Sequence, residues 1–179
     1  MLKITIPATE MYDPEENAFH YTKEQTLTLE HSLVSISKWE SKWRKPFFSK
    51  DPKTNKQISD YVRCMTLTQN VNPEVYECIS SSDLDIILKY IDEPMTATWF
   101  SDDNKKKSRE IITSEIIYYW MISLQIPFEC QKWHLNRLLT LIRVCNEKNA
   151  PKKNMSKREI AERNRILNEQ RKARYKSRG

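Results

Sequence analysis

The spacing of apolar residues divides the chain into a short stretch of period two and a long stretch of helical period. Leu2, Ile4 and Ile6 alternate with polar residues, and Leu27 and Leu29 alternate with Thr26, Thr28 and Glu30. Both runs predict strands with one buried face. Between them Tyr12-Asp13-Pro14-Glu15-Glu16-Asn17 reads as a turn and Phe19 and Tyr21 as a short strand. A small antiparallel hairpin or three-stranded sheet is therefore expected at the N-terminus.

From His31 the period lengthens. Leu33, Ile36 and Trp43 fall on one helical stripe with Trp39 beside them, predicting a helix that ends before Pro46. After the polar connector Lys50 to Lys56, the positions Ile58, Val62 and Met65, flanked by Tyr61, predict a second helix. Asn72-Pro73-Glu74 resembles a cap with proline at the first helical position, opening a short turn through Val75, Tyr76 and Ile79. Ser82-Asp83-Leu84-Asp85 resembles a capping box, and Leu84, Ile87, Leu88 and Ile91 form the stripe of a third helix before Pro94.

Met95 to Phe100 is apolar and β-tolerant, and Ser101 to Ser108 is charged without a period, as expected of a mobile insertion. Arg109 to Gln125 predicts a helix with Ile112, Ile116, Tyr119, Trp120 and Ser123 on one face. Ile117, Met121 and Leu124 are apolar as well, so this helix is expected to be central. Beyond Pro127, Glu129 to Asn146 carries Leu135, Leu138, Leu139, Ile142 and Cys145 on one stripe. The short connection predicts that these two helices pack as an antiparallel pair forming the core.

Composition shifts after Ala150-Pro151. Lys152 to Gly179 holds eleven Lys/Arg (Lys152, Lys153, Lys157, Arg158, Arg163, Arg165, Arg171, Lys172, Arg174, Lys176 and Arg178) against Glu159, Glu162 and Glu169, a net +8. Since the whole chain carries +6, the remaining 151 residues carry −2, and the basic character belongs to the tail. Ser156 with Glu159 can cap a helix there, but Ile160, Ile166 and Leu167 offer only a thin apolar edge, so the helix should fray when unbound. The expected fold is mainly α (α+β): residues 1–150 as a helical domain with a small N-terminal β element, and residues 151–179 as a basic helical extension.

The single glycine is Gly179, so neither a P-loop nor a dinucleotide-binding glycine motif is present. The cysteines Cys64, Cys78, Cys130 and Cys145 and the histidines His20, His31 and His134 lack metal-ligand spacing and read as free thiols and structural imidazoles. That pattern suits a reducing compartment, and the alternating N-terminus lacks the apolar core of a signal peptide. Ile116 to Leu124, the most apolar run, is far short of the ~20 residues of a membrane span. No cofactor, metal or membrane partner is expected.

Candidate chemistry is sparse. His134, with Glu129 one turn away, could serve as a general base, but no nucleophile motif accompanies it and a structural role is the better reading. Asp83 with Asp85, and Asp102 with Asp103, fit helix capping and solvation better than chelation. Trp39 and Trp43, with Lys38, Lys42, Arg44 and Lys45 around them, could make an aromatic and basic surface for a partner. Core packing with snorkelling lysines is the competing reading. The tail's charge supports non-specific attraction to nucleic acid or docking on an acidic protein, with no zinc knuckle or zipper to add specificity.

Three stretches carry a family resemblance: Leu29 to Trp43 (LEHSLVSISKWESKW), Ile126 to Ile142 (IPFECQKWHLNRLLTLI) and Lys153 to Glu159 (KNMSKRE). Together they resemble tail assembly chaperones of long-tailed bacteriophages. The resemblance implies a non-enzymatic protein of the host cytoplasm that binds the tape measure protein and helps recruit tail tube subunits during virion morphogenesis. The alternative is a small phage nucleic-acid-binding or virion structural protein acting through its basic tail.

Overall fold

The computed structural model describes residues 1–13, 17–100, 111–150 and 157–175. The expected insertion at Ser101 to Ser108, with Asp102 and Asp103, lies outside them, as do the middle of the Tyr12 to Asn17 turn, the Ser156 cap, Lys152, Lys153, Lys176 and Arg178. The chain divides into two units, Met1–Asn146 and Glu147–Gly179.

The first unit opens with four strands, β1 (Leu2–Ile6), β2 (Thr9–Asp13), β3 (Ala18–Thr22) and β4 (Gln25–Leu29). They form two two-stranded antiparallel sheets, β1 with β4 and β2 with β3, rather than one three-stranded sheet. Leu2 faces Leu29 in one pair and Asp13 faces Ala18 in the other, so both keep a single hairpin register. The break falls at Pro7, which has no N–H to donate to a ladder. Ile4, Ile6, Leu27 and Leu29 point inward as their alternation requires.

Five helices follow: α1 (Leu33–Trp43), α2 (Asn55–Met65), α3 (Ser81–Asp92), α4 (Ser114–Ser123) and α5 (Leu135–Asn149), with 3-10 turns at Pro73–Tyr76 and Phe128–Lys132. Reciprocal capping boxes start α1 (Ser32 with Ser35), α2 (Thr54 with Gln57) and α3 (Ser80 with Asp83), so the α3 cap lies two residues earlier than the sequence pattern suggests. Helix α4 has no side-chain cap of its own. Its first N–H, that of Ser114, donates instead to Glu40 Oε2 at 2.8 Å, while Glu40 Oε1 accepts from the Phe47 N–H at 2.7 Å. A buried carboxylate of α1 thus supplies both the hydrogen bond and the negative charge favoured at a helix N-terminus.

That contact makes α1 the hub: it packs on α2 and on α4, with Trp39 Nε1 donating to the Gln57 carbonyl at 2.9 Å. The expected core pair of α4 with α5 is not the principal packing. The residues after Pro127 first form a 3-10 turn, and α5 begins only at Leu135. The Leu135 N–H donates to the His31 carbonyl at 2.7 Å, tying α5 to the approach of α1. On α5, Leu135, Leu138 and Ile142 are buried as expected, with Leu139 and Cys145 half-buried.

Two other faces differ from expectation. On α3, Ile87 is buried and Leu84 and Ile91 half-buried, but Leu88 is 54% exposed and Tyr90 takes its place inside. On α4 the buried positions are Ser114, Ile117 and Met121, whereas Tyr119 and Ile122 face outward and Ile112 precedes the helix. Met95 to Phe100 forms no strand, and Trp99 is 84% exposed. Non-glycine residues turn the tight corners: Asn17, Arg44, Asn70, Met95 and Gln125 all have positive φ, Arg44 (52°) as the cap of α1 and Gln125 (54°) just past α4.

The second unit contains α6 (Lys157–Tyr175), a 19-residue helix. Every side chain described on it, at 158 and 160–175, is exposed.

Candidate functional site

At the centre of the first unit lies a buried polar network. His134 Nδ1 accepts from the Asn136 N–H at 3.3 Å, which makes Nε2 the protonated nitrogen that donates to the Tyr90 carbonyl at 3.0 Å. Asn136 Nδ2 donates to the carbonyls of Ile91 and Glu93, both at 2.9 Å, so the start of α5 caps the end of α3. The Tyr90 hydroxyl donates to Glu30 Oε1 at 2.7 Å, and Glu30 Oε2 lies 3.1 Å from the Met1 ammonium. The His31 and His134 rings meet edge-on with centroids 5.2 Å apart, and His31 Nδ1 pairs with the Tyr61 hydroxyl.

Burial, reinforced by the neighbouring His134, pushes the His31 pKa down to about 3, and burial also lowers that of His134. Burial raises the phenols of Tyr61 and Tyr90. The imidazoles are neutral at neutral pH and both nitrogens of His134 are engaged in holding helix ends together. This arrangement positions backbone, and His134 presents no free lone pair to a substrate.

Trp39 and Trp43 part company. Trp39 is 2% exposed and belongs to an aromatic cluster with Phe47 (centroids 5.3 Å apart), which in turn stacks on Tyr61 (4.3 Å). Its cation is Lys53, whose Nζ lies 5.7 Å from the indole and 4.6 Å from the Phe47 ring and donates to the Phe47 carbonyl. Burial lowers the Lys53 pKa. Trp39 is therefore withdrawn from the candidate binding surface: it is core, held by a lysine of the connector rather than by Lys38, Arg44 or Lys45. Trp43 stays half-buried beside Lys42, 5.9 Å from its ring, and its Nε1 is buried without a hydrogen-bond partner.

Beside Lys42 runs a groove of about 740 Å³ whose lining includes Ile58, Asp60, Arg63, Tyr76 and Leu84. Lys42 Nζ lies 2.6 Å from Asp60 Oδ1, leaving Oδ2 buried and unpartnered. Among the described residues, no group of three or more His, Cys, Asp and Glu is arranged to hold a metal ion.

Exposed apolar side chains occur at Phe19 and Tyr21 on β3, at Ile86 and Leu88 on α3, at Trp99 and on α4. Tyr119 (65% exposed) and Ile122 (61%) share its outward face with Glu115, at spacings of four and three residues. Tyr118, one position round the helix, lies 6.5 Å from the ring of Phe128, itself 53% exposed, and donates to Gln131 Oε1 at 2.9 Å. Hydrogen bonds at the helix start, from its own N–H and the Thr113 side chain, hold the Glu115 carboxyl below its usual range. The outcome is an apolar strip with a fixed negative end. Sequence periodicity missed it because α4 is apolar on every side, which leaves no polar face to mark the outside.

Of the basic tail residues, Arg158, Arg163, Arg165, Arg171, Lys172 and Arg174 lie exposed on α6, and Lys157 is its first residue. Arg165 Nε is 3.3 Å from Glu169 Oε1 one turn on, and Arg174 lies over the Tyr175 ring. Among the described residues, no helix is long and apolar enough to cross a membrane. The chain matches no protein-family model, no curated protein and no solved structure.

Proposed function

We propose that the protein is a non-enzymatic binding factor of the tail assembly chaperone kind, acting in the host cytoplasm and holding an apolar helix of a phage tape measure protein while tail tube subunits assemble. The observation that carries this reading is the outward apolar face of α4, Tyr119 and Ile122 with Phe128 nearby. A helix that buries Ile117 and Met121 on one side and leaves two large apolar side chains exposed on the other offers an apolar strip that the apolar face of an amphipathic helix can cover. Glu115 favours a client with a basic residue at the matching end. The buried histidines support the same reading, since their hydrogen bonds serve the fold.

The test is binding of a tape measure fragment to the full chain and to the double variant Tyr119→Lys, Ile122→Lys, read by isothermal calorimetry. Affinity should fall at least tenfold, with a melting temperature close to that of the unaltered chain because both side chains are already in water. Burial of apolar surface should appear as a negative heat-capacity change and little salt dependence. Unchanged affinity in the double variant would sink the assignment to this face.

A further inference from the structure

The second unit poses a separate question, because α6 is a helix with no buried side chain among those described. Its exposed residues are not arranged at random. At about 100° per residue, Arg158, Arg165 and Lys172 recur every seven positions and form one flank. Arg163, Arg171 and Arg174 form a second flank about 170° away around the helix. Between the flanks on one side lie Ala161, Asn164 and Asn168, small or amide-bearing, with Tyr175 at the far end. On the opposite side lie Ile166 and Gln170, while Glu162 and Glu169 stand beside the first flank, one turn on from Arg158 and Arg165.

This distribution fits one kind of polyanion. A bare helix is roughly 10–12 Å across, close to the ~12 Å width of the B-form major groove. A helix lying there has a phosphate backbone on each side, base edges in front and solvent behind. Cations belong on the two sides and hydrogen-bonding amides in front, and α6 carries both. Its 19 residues span about 28 Å, alongside roughly 16 phosphate charges at one per about 1.7 Å. Five of the six flank cations are arginines, whose guanidinium fork matches phosphate oxygens in pairs. An acidic protein surface would place its charges on one side and would need an apolar anchor. On α6, Ile160 and Leu167 lie among the arginines of one flank, and Ile166 lies on the side away from the amides. The exposed Arg165 to Glu169 pair holds little energy and yields to a phosphate.

We propose that α6 binds double-stranded DNA in the major groove, its two basic flanks on the two phosphate backbones and Asn164 and Asn168 toward the base edges. The proposal concerns a partner and a unit different from those of the apolar face on α4. Asparagine can pair with the adenine edge, so the mode adds a modest sequence preference to a mainly electrostatic attraction. The A-form major groove of duplex RNA is too deep and narrow to admit the helix.

The experiment uses the full chain, a labelled 24-base-pair DNA duplex of mixed sequence, the same sequence as duplex RNA, and polyglutamate as competitor. Fluorescence anisotropy across a salt series should give log Kd against log salt with a slope of magnitude about 5, from about 0.9 per phosphate neutralised by six cations. The triple variants Arg158→Gln, Arg165→Gln, Lys172→Gln and Arg163→Gln, Arg171→Gln, Arg174→Gln should each remove about half of that slope. These side chains are exposed and glutamine is a good helix former, so circular dichroism should be unchanged. Dimethyl sulfate footprinting should show guanine N7, in the major groove, protected and adenine N3, in the minor groove, reactive. The proposal is overturned by absence of DNA binding at 50 mM salt, by duplex RNA bound as tightly as DNA, by polyglutamate competing as well as unlabelled DNA, or by protection of adenine N3 instead of guanine N7.

Discussion

Helices α1 and α6 are both regular, yet nearly opposite things support them. Helix α1 is 11 residues long, buries Leu33, Ser35, Ile36, Trp39 and Glu40, and is closed by a capping box at one end and Arg44 at the other. Helix α6 is 19 residues long, and every side chain described on it is exposed. Fourteen of its 19 residues are Arg, Lys, Glu, Gln, Ala or Leu, which favour the helix intrinsically, with an i,i+4 pair between Arg165 and Glu169. The first helix exists because it packs; the second because its residues prefer that backbone. Packing commits α1 to one environment, whereas α6, with the marginal stability of an unpacked helix, keeps every face available to a partner.

The comparison breaks most visibly in the core. Leu138 is fully buried on α5, and Leu138→Asp should unfold the first unit, because an unpaired buried carboxylate costs several kcal/mol, comparable to a domain's whole stability. An unchanged melting temperature would show that this stripe bears no load.

A smaller effect should appear with acid. The folded state holds His31 neutral down to about pH 3, whereas the unfolded chain takes up that proton near pH 6.5. Its contribution is therefore fully present above about pH 6.5 and lost as pH falls below it, on the order of 2 kcal/mol by pH 5 at 1.4 kcal/mol per unit. The depressed His134 acts in the same direction, within a setting that includes Glu30, Glu93, Tyr61 and Tyr90. Denaturant melts at pH 7 and pH 5 should show this loss in the unaltered chain and a clearly smaller one in His31→Gln. Equal slopes would remove His31 from the account.

Smallest of all should be truncation after Ala150. Because Ile160, Ile166 and Leu167 are already exposed, removing them should leave the melting temperature of the first unit within about 1 °C, an effect below ~0.5 kcal/mol. A large drop would mean that α6 supports the core.

These contrasts also mark how far the chain could be read from its residues. One-sided patterns were legible: β1 and β4 from Leu2, Ile4, Ile6, Leu27 and Leu29, α2 from Val62 and Met65, and the α5 stripe through Leu138 and Ile142. Strand β2 was not, because Thr9-Glu10-Met11-Tyr12-Asp13 lacks apolar alternation and is specified by its pairing with β3. The buried face of α4 was misplaced because an all-round apolar helix has no internal phase. Its true phase comes from Glu40, 74 residues earlier in the chain. The basic residues around Trp39 in sequence left a binding surface open beside core packing, and the structure decides for the core, with Phe47 and Lys53 as its neighbours. The total charge of the tail was legible at once; its division into two flanks required the helix to be placed.

The five positive-φ corners among the described residues have a further consequence for how this protein could be strengthened. A chain whose single glycine is its last residue must turn with side chains that resist the left-handed region, and Arg44, Met95 and Gln125 do so without the local hydrogen bonding that eases asparagine. Each such residue holds back roughly 1 kcal/mol. Part of that would return on substitution by glycine, less the entropy that glycine adds to the unfolded chain. The fold thus works below the stability its contacts could support, with the shortfall stored at three surface corners, where a designer could recover it without touching the core, the α4 face or α6.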